Sequence, residues 1–259
     1  MRSMTDRVRE RWAHGEAALN AWLTFEGAAS AAVVAEAGFD AVTLDLQHGT
    51  AHLEDIGAVA AAIEAAGAVP FVRLRWNDPG VVMRALDLGA RGVICPMIDS
   101  REQAEAFVRA GRYPPLGSRS YGPIHGAFGS GREQTERANA DVLTFAQIET
   151  AEGLAAVAEI AATPGLDGVY VGPADLSLTL GLGTLADLTD TAMLTALDHV
   201  VAAAAAAGIV PGIHAPGIER ASAMIRQGFR FVGTAGDADL LAAAAAKELS
   251  HVRNGTTGT

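Results

Sequence analysis

The sequence predicts a single α/β domain: a closed (β/α)₈ barrel of the TIM type. Three observations carry that reading. Short β-rich runs alternate with Ala-rich helical runs along the chain, which argues for a parallel sheet. Eight such pairs fall within 259 residues, which suits a closed barrel better than an open sheet. No G-x-G-x-x-G motif follows the first strand run, and there is no P-loop, which weakens an open dinucleotide-binding alternative.

The elements follow in order. Strand Asn20–Phe25, rich in aromatic and aliphatic residues, leads into the small-residue helix Ala28–Ala37. Strand Ala41–Asp45 precedes helix Leu53–Ala66, and strand Val69–Leu74 precedes Pro79–Leu88, whose leading proline suits a helix start. Strand Gly92–Cys95 is followed by helix Arg101–Ala110. The rhythm then breaks over Tyr113–Arg132, a Gly-, Pro- and Ser-rich segment. Strand Val142–Glu149 pairs with helix Ala151–Ala161. After strand Gly168–Val171 a second break runs over Leu176–Asp190, before helix Thr191–Ala207. Long breaks in a compact barrel are usually functional or interfacial. Strand Val210–His214 with helix Pro216–Gln227, and strand Phe229–Gly233 with helix Asp237–His251, complete the count. The domain is expected to span residues 1–253, with a disordered tail over 254–259.

Composition narrows the function. Half the residues are hydrophobic and the net charge is −11, so the chain has no general attraction for nucleic acid or an anionic membrane. An anionic substrate therefore needs a few specific arginines or a metal. Cys95 is the only cysteine and the N-terminal stretch is charged without a signal-peptide pattern, so a cytoplasmic location is expected. The run Val200–Ala207 is too short to span a bilayer. There is one lysine, Lys247, against 18 arginines, and it falls in the last helix. Schiff-base chemistry needs a lysine in the site, and no strand carries one.

Active sites of such barrels lie at the C-terminal ends of the strands. The second strand run ends in Asp45, followed by His48; the third carries Arg73 and Arg75; the fifth ends in Gln147 and Glu149; the sixth runs into Gly172-Pro173-Ala174-Asp175. Alternation places Gln147 with Glu149, and Arg73 with Arg75, on shared faces. Taken singly, each is as readily a salt-bridged rim residue as a functional one. Glu149 and Asp175 are oxygen donors suited to a hard cation such as Mg²⁺ or Mn²⁺, or else members of an acid–arginine network. Asp45 either orients the His48 imidazole or caps the next turn. Trp22 either walls a pocket or packs in the core. His214 ends a strand, where a rim histidine is commoner than a functional one. His14, His199 and His251 fall in helices, His52 opens one, and His125 lies in the long break. Arg119 and Tyr121 are readings for a loop or an interface.

Taken in order, LDLQHG, PFVRLRWND, LDLGARGVICPM, PPLGSRSYGP, AQIET and VYVGPADLS resemble the motifs of the metal-dependent class II pyruvate aldolases of the HpcH/HpaI family. The match covers about Trp22 to Gly236. The resemblance implies a phosphoenolpyruvate/pyruvate-binding type of TIM barrel. It implies reversible aldol cleavage of 4-hydroxy-2-oxo acids to pyruvate or hydroxypyruvate plus an aldehyde, through a metal-stabilised enolate. It implies a divalent metal (Mg²⁺, Mn²⁺ or Co²⁺) on Glu149 and Asp175, with no organic cofactor. Arg73 then matches the residue at the pyruvyl oxygens, His48 the proton-transfer histidine with Asp45 its partner, and Gln147 a residue beside the oxo acid. The Gly172, Pro173 and Ala174 turn matches a carboxylate-binding backbone. Asp87 matches an acid that reaches a neighbouring subunit's site. The family implies a homohexamer of dimers that exchange a C-terminal helix. Many members carry Gly-Glu between the Asp and the His; here Leu46-Gln47 stands there, which resembles the subgroup acting on hydroxypyruvate. The alternatives are a citramalyl- or malyl-type CoA-thioester lyase and a non-catalytic barrel that binds 2-oxo acids.

Overall fold

The computed structural model describes residues 3–122, 132–183 and 186–256. Eight parallel strands close into a barrel in chain order, with β8 hydrogen-bonded back to β1. They are β1 (Ala18–Leu23), β2 (Ala41–Asp45), β3 (Val69–Arg73), β4 (Gly92–Cys95), β5 (Leu143–Ile148), β6 (Gly168–Val171), β7 (Val210–His214) and β8 (Phe231–Gly236). The helices are α1 (Asp6–Ala13), α2 (Ala28–Glu36), α3 (Ile56–Ala65), α4 (Pro79–Asp87), α5 (Arg101–Gly111), α6 (Arg132–Asp141), α7 (Ala151–Ala155), α8 (Val157–Ala161), α9 (Pro173–Thr179), α10 (Thr191–Ala207), α11 (Ile218–Gln227) and α12 (Asp237–Thr256). The expected barrel is the observed one.

The differences have local causes. Residues 53–55 form a 3₁₀ turn rather than the start of α3, because His52 and Asp55 cap each other there. The helix expected over 151–161 breaks at Ala156 into α7 and α8. A short helix, α9, occupies part of the second break: Gly172 precedes it and Pro173 fills its first position, where the missing N–H costs nothing. The last helix runs to Thr256, past residue 253; residues 257–259 and His125 lie outside the described residues.

Strand alternation builds two cores. Outward residues such as Val72, Val93, Ile148, Val169 and Val232 pack under the helices, which is why these strands read as unbroken apolar runs. Inward residues Phe71, Phe145, Tyr170 and Phe231 fill the barrel, each fully buried; burying a phenylalanine contributes about 1.5–3 kcal/mol. Small residues make room for the rings. A Cβ on Gly92 would sit 2.2 Å from the Phe71 ring, and one on Gly168 2.2 Å from Phe145. The N-terminal stretch forms α1, which closes the barrel floor: Val8 and Trp12 pack on the inward cluster, and the Trp12 indole donates to the Arg230 carbonyl at 2.8 Å. Arg7 and Arg11 fix this plug to Asp40, at 3.3 and 2.8 Å.

Candidate active site

The same alternation carries the inward faces up to polar groups at the open rim. On β5, Leu143 and Phe145 lead to Gln147, and then to Glu149 just beyond the strand; both polar side chains are buried. On β1, Asn20 leads to Trp22. On β2, Thr43 leads to Asp45, which stands opposite Arg73 in the β2–β3 register. Tyr170 leads to Gly172, and β7 ends in His214. A cavity of about 220 Å³ opens here, lined by His48, Arg73, Gln147, Gly172, Pro173, Ala174 and Asp175, together with Trp22, Tyr170 and His214. Asp45 lies behind this wall, bonded to Arg73; Glu149 lies behind Gln147 and Gly172. Asp87 does not line its own chain's cavity; it accepts from Arg119 at 2.8 Å, and the Arg119 guanidinium also lies over the Tyr113 ring.

Asp45 corrects the expected dyad. Its Oδ1 accepts from Arg73 Nε at 2.9 Å and from the backbone N–H groups of Gln47 and His48 at 2.9 and 3.3 Å. Its Oδ2 accepts from Arg73 Nη2 and from the Trp22 indole at 3.2 Å. With these donors in place, Asp45 caps the turn and orients Arg73; it makes no hydrogen bond to the His48 imidazole. Burial alone would raise the Asp45 carboxyl, but Arg73, Trp22 and the Gln47 N–H more than offset it and hold the group below the ordinary carboxylate range. The bidentate geometry leaves Arg73 Nη1 for a ligand. Arg75 does not share the site: it donates to the Leu46 carbonyl and meets His52, away from the cavity.

Trp22 takes both of its expected roles. It is 5% exposed, lines the cavity, stacks on Tyr170 at 5.9 Å and lies under the Arg73 guanidinium at 4.9 Å. His214 also lines the cavity, with its ring 5.0 Å from Trp22 and its Nδ1 lacking a partner among the described residues. Burial, helped by the Arg73 charge, pushes its pKa down to about 4, so it is neutral at pH 7.

Glu149 is a carboxyl displaced well above its ordinary range. Burial, with the Asp175 charge nearby, pushes it up to about 7, although Met97 N–H and Gln147 Nε2 donate to it at 2.8 and 2.5 Å. Met97 holds that N–H in place with a left-handed backbone, φ 54, which costs a non-glycine residue of order 1–3 kcal/mol. The sequence reading missed Met97, since a methionine after a strand carries no signal of its backbone angle. Asp175 is half-buried, in the first turn of α9, and has no hydrogen bond or ion pair among the described residues. Gln147 Oε1 is buried and also lacks a partner.

This donor set fits a hard divalent cation. Glu149, Asp175 and Gln147 offer two carboxylates and an amide oxygen, all hard donors, and a cation between the acids would offset the Asp175 charge that helps raise the Glu149 carboxyl. Among the described residues no group of three or more His, Cys, Asp or Glu gathers around a metal position. The remaining positions would thus fall to substrate and solvent, as hard cations commonly allow.

Comparison with known proteins agrees with the geometry. Residues 19–244 match the family model described as HpcH/HpaI aldolase/citrate lyase. The chain is 38% identical to a hydroxypyruvate/pyruvate aldolase of Rhizorhabdus wittichii, over 96% of this chain and 99% of that one. It is 37% identical to a 2-dehydro-3,6-dideoxy-6-sulfogluconate aldolase of Pseudomonas putida, over 85% and 87%. The crystal structure of an HpcH/HpaI aldolase/citrate lyase family protein from Burkholderia cenocepacia superposes with a TM-score of 0.86 at 35% identity, covering 96% of this chain and 98% of that one.

Proposed function

We propose a donor, a metal site and a proton route for a chain that belongs to the HpcH/HpaI aldolase/citrate lyase family. The chain is an aldolase, a carbon–carbon lyase. The thioester-lyase and non-catalytic alternatives are not favoured, since the relatives matched over most of their length are aldolases. Our reading is that it cleaves and forms 4-hydroxy-2-oxo acids, with pyruvate or hydroxypyruvate as donor. One observation carries this: Arg73, Gln147, Asp175 and His48 meet in a single cavity of about 220 Å³, with Glu149 directly behind it.

In this reading Glu149 and Asp175 hold Mg²⁺, Mn²⁺ or Co²⁺. The metal, when bound, supplies Lewis acidity to the carbonyl of the 2-oxo acid. Arg73, held by Asp45, places fixed positive charge where the enolate oxygen develops. The donor carboxylate lies at the start of α9, where first-turn amides have no acceptor within the helix. Gln147 fixes the donor's orientation. His48 moves the proton at the donor carbon, and in cleavage takes the proton of the C4 hydroxyl, directly or through a water. Exposed at the cavity edge, it is free to do so.

We further propose a single domain, a cytoplasmic location and a homohexamer whose sites lie near subunit interfaces, where Asp87 would act. Cys95, buried and unpaired, is in keeping with a reducing compartment. Leu240, Leu241, Leu249 and Val252 leave α12 with exposed apolar positions that suit a partner chain. No helix among the described residues is long and apolar enough to cross a membrane.

The test is deuterium exchange into the pyruvate methyl group, and at C3 of hydroxypyruvate, followed by proton NMR. Exchange should require Mg²⁺ or Mn²⁺, stop with EDTA and vanish in Glu149→Gln and Asp175→Asn. His48→Ala should slow it by about 10²–10⁴-fold with metal affinity retained. Full exchange in either metal-ligand variant overturns the assignment.

A further inference from the structure

Two arginines line the cavity, and they differ in kind. Arg73 is 11% exposed and committed to Asp45. Arg220 is exposed and makes no hydrogen bond or ion pair among the described residues. It stands in the first turn of α11, beyond His214 and the loop residues Pro216 and Gly217. Its charge acts on Asp187, whose carboxyl is already held by the Thr189 hydroxyl and N–H at 2.7 and 2.9 Å. Arg220 lowers that carboxyl's pKa only as a lesser contributor, after Thr189.

Arg220 shares that first turn with the acid Glu219, yet among the described residues it forms an ion pair with neither Glu219 nor Asp187, so its guanidinium is left for a ligand at the cavity wall. Apart from the donor groups and the imidazoles of His48 and His214, the cavity lining is largely apolar, with Trp22, Tyr170, Leu188 and Pro216. A ligand suited to this lining has its reactive end deep, an apolar or neutral middle, and an anion at the mouth.

We infer that Arg220 selects the acceptor by pairing with an anionic group, carboxylate, sulfonate or phosphate, at the end of the aldehyde remote from its carbonyl. The inference rests on the aldolase reading and adds the acceptor's chemical class to it. In cleavage, the same contact holds the distal anion of the 4-hydroxy-2-oxo acid. The guanidinium takes no part in bond making, and the donor half-reaction proceeds without it.

The test compares matched acceptors with the intact enzyme and pyruvate or hydroxypyruvate as donor. The pairs are succinic semialdehyde with butanal, and glyceraldehyde 3-phosphate with glyceraldehyde. In Arg220→Ala, kcat/KM for the charged member should fall about 10–100-fold further than for its neutral partner, the range for a charge-assisted hydrogen bond. Arg220→Lys should recover part of that gap, and raised salt should narrow it in the wild type. The pair with the larger gap identifies the anion. An equal fall for charged and neutral acceptors, or an unchanged charged acceptor, overturns the inference. Donor deuterium exchange in the same preparations separates the two levels. Exchange with no charge preference removes Arg220's role alone; no exchange in the metal-replete wild type removes the aldolase reading and this inference with it.

Discussion

Replacing Gly172 with alanine tests the site through a single methyl group. The backbone there has φ −97 and ψ 90, which alanine adopts without left-handed strain. The methyl has nowhere to go: it would lie 2.5 Å from Glu149 Oε2 and 2.7 Å from Gln147 Nε2. Ordinary contact begins at about 3.4 Å, so those atoms must withdraw by about 0.7–0.9 Å. Glu149 is poorly placed to yield, because Met97 N–H and Gln147 both hold its carboxylate. A misplacement approaching 1 Å in a catalytic group costs roughly 10²-fold, and overpacking of this size costs about 1–3 kcal/mol. Gly172→Ala should therefore slow donor deuterium exchange about 100-fold and weaken Mn²⁺ binding by calorimetry. Its Tm should fall by about 2–4 °C per kcal/mol lost. Gly181→Ala is the control: at φ 68 with open space around it, it strains the backbone but leaves exchange intact. In a Glu149→Ala background the added methyl should cost less stability, since the oxygen it strikes is gone. Wild-type exchange and Mn²⁺ affinity in Gly172→Ala would refute this account of the site, as would a stability loss unchanged by removing the Glu149 side chain.

Two further outcomes are expected. Asp45→Asn leaves the Arg73 guanidinium without its counter-charge, which for a buried pair costs on the order of 3–5 kcal/mol; urea titration should show it, with donor exchange falling in parallel. His214 carries a pH dependence: its folded pKa of about 4 lies below the ordinary 6.5, so the unfolded chain takes up the proton first. Its contribution is present above about pH 6.5 and is lost as pH falls towards about 4, on the order of 3 kcal/mol in all. Denaturation of wild type and His214→Phe at pH 7, 5.5 and 4.5 checks this, since the variant should lack that share of the slope.

Much of this architecture is legible in the chain because its strands are bounded by strong punctuation. β2, β4, β6 and β7 occupy the residues expected of them, each an apolar run closed by Asp, Pro, Gly or His. α1 was read only as a charged segment, although Val8 and Trp12, four residues apart, carry the helical spacing that could have revealed it. α9 was hidden because Gly172–Asp175 was read as a turn and Leu176 onward as a break, with the Gly172-Pro173 pair as the available signal. At the site, periodicity places Arg73, Gln147 and Asp45 on inward faces but does not say which donor each acid meets. Asp45 turned out to serve Arg73 and the Trp22 indole, a choice made by register across three strands. Arg220 drew no notice because it lies six residues past the end of β7, where strand-end reasoning stops.

The helix that seals the barrel floor also dictates traffic. With Val8 and Trp12 stoppering the far end, ligands come and go by the rim. The donor groups lie deep, under the place proposed for the aldehyde. On the arrangement proposed above, an aldehyde bound first would roof over the donor's berth, so ordered binding with the oxo acid first is the expected outcome for condensation. Cleavage is then expected to release the two in the opposite sequence: last in, first out.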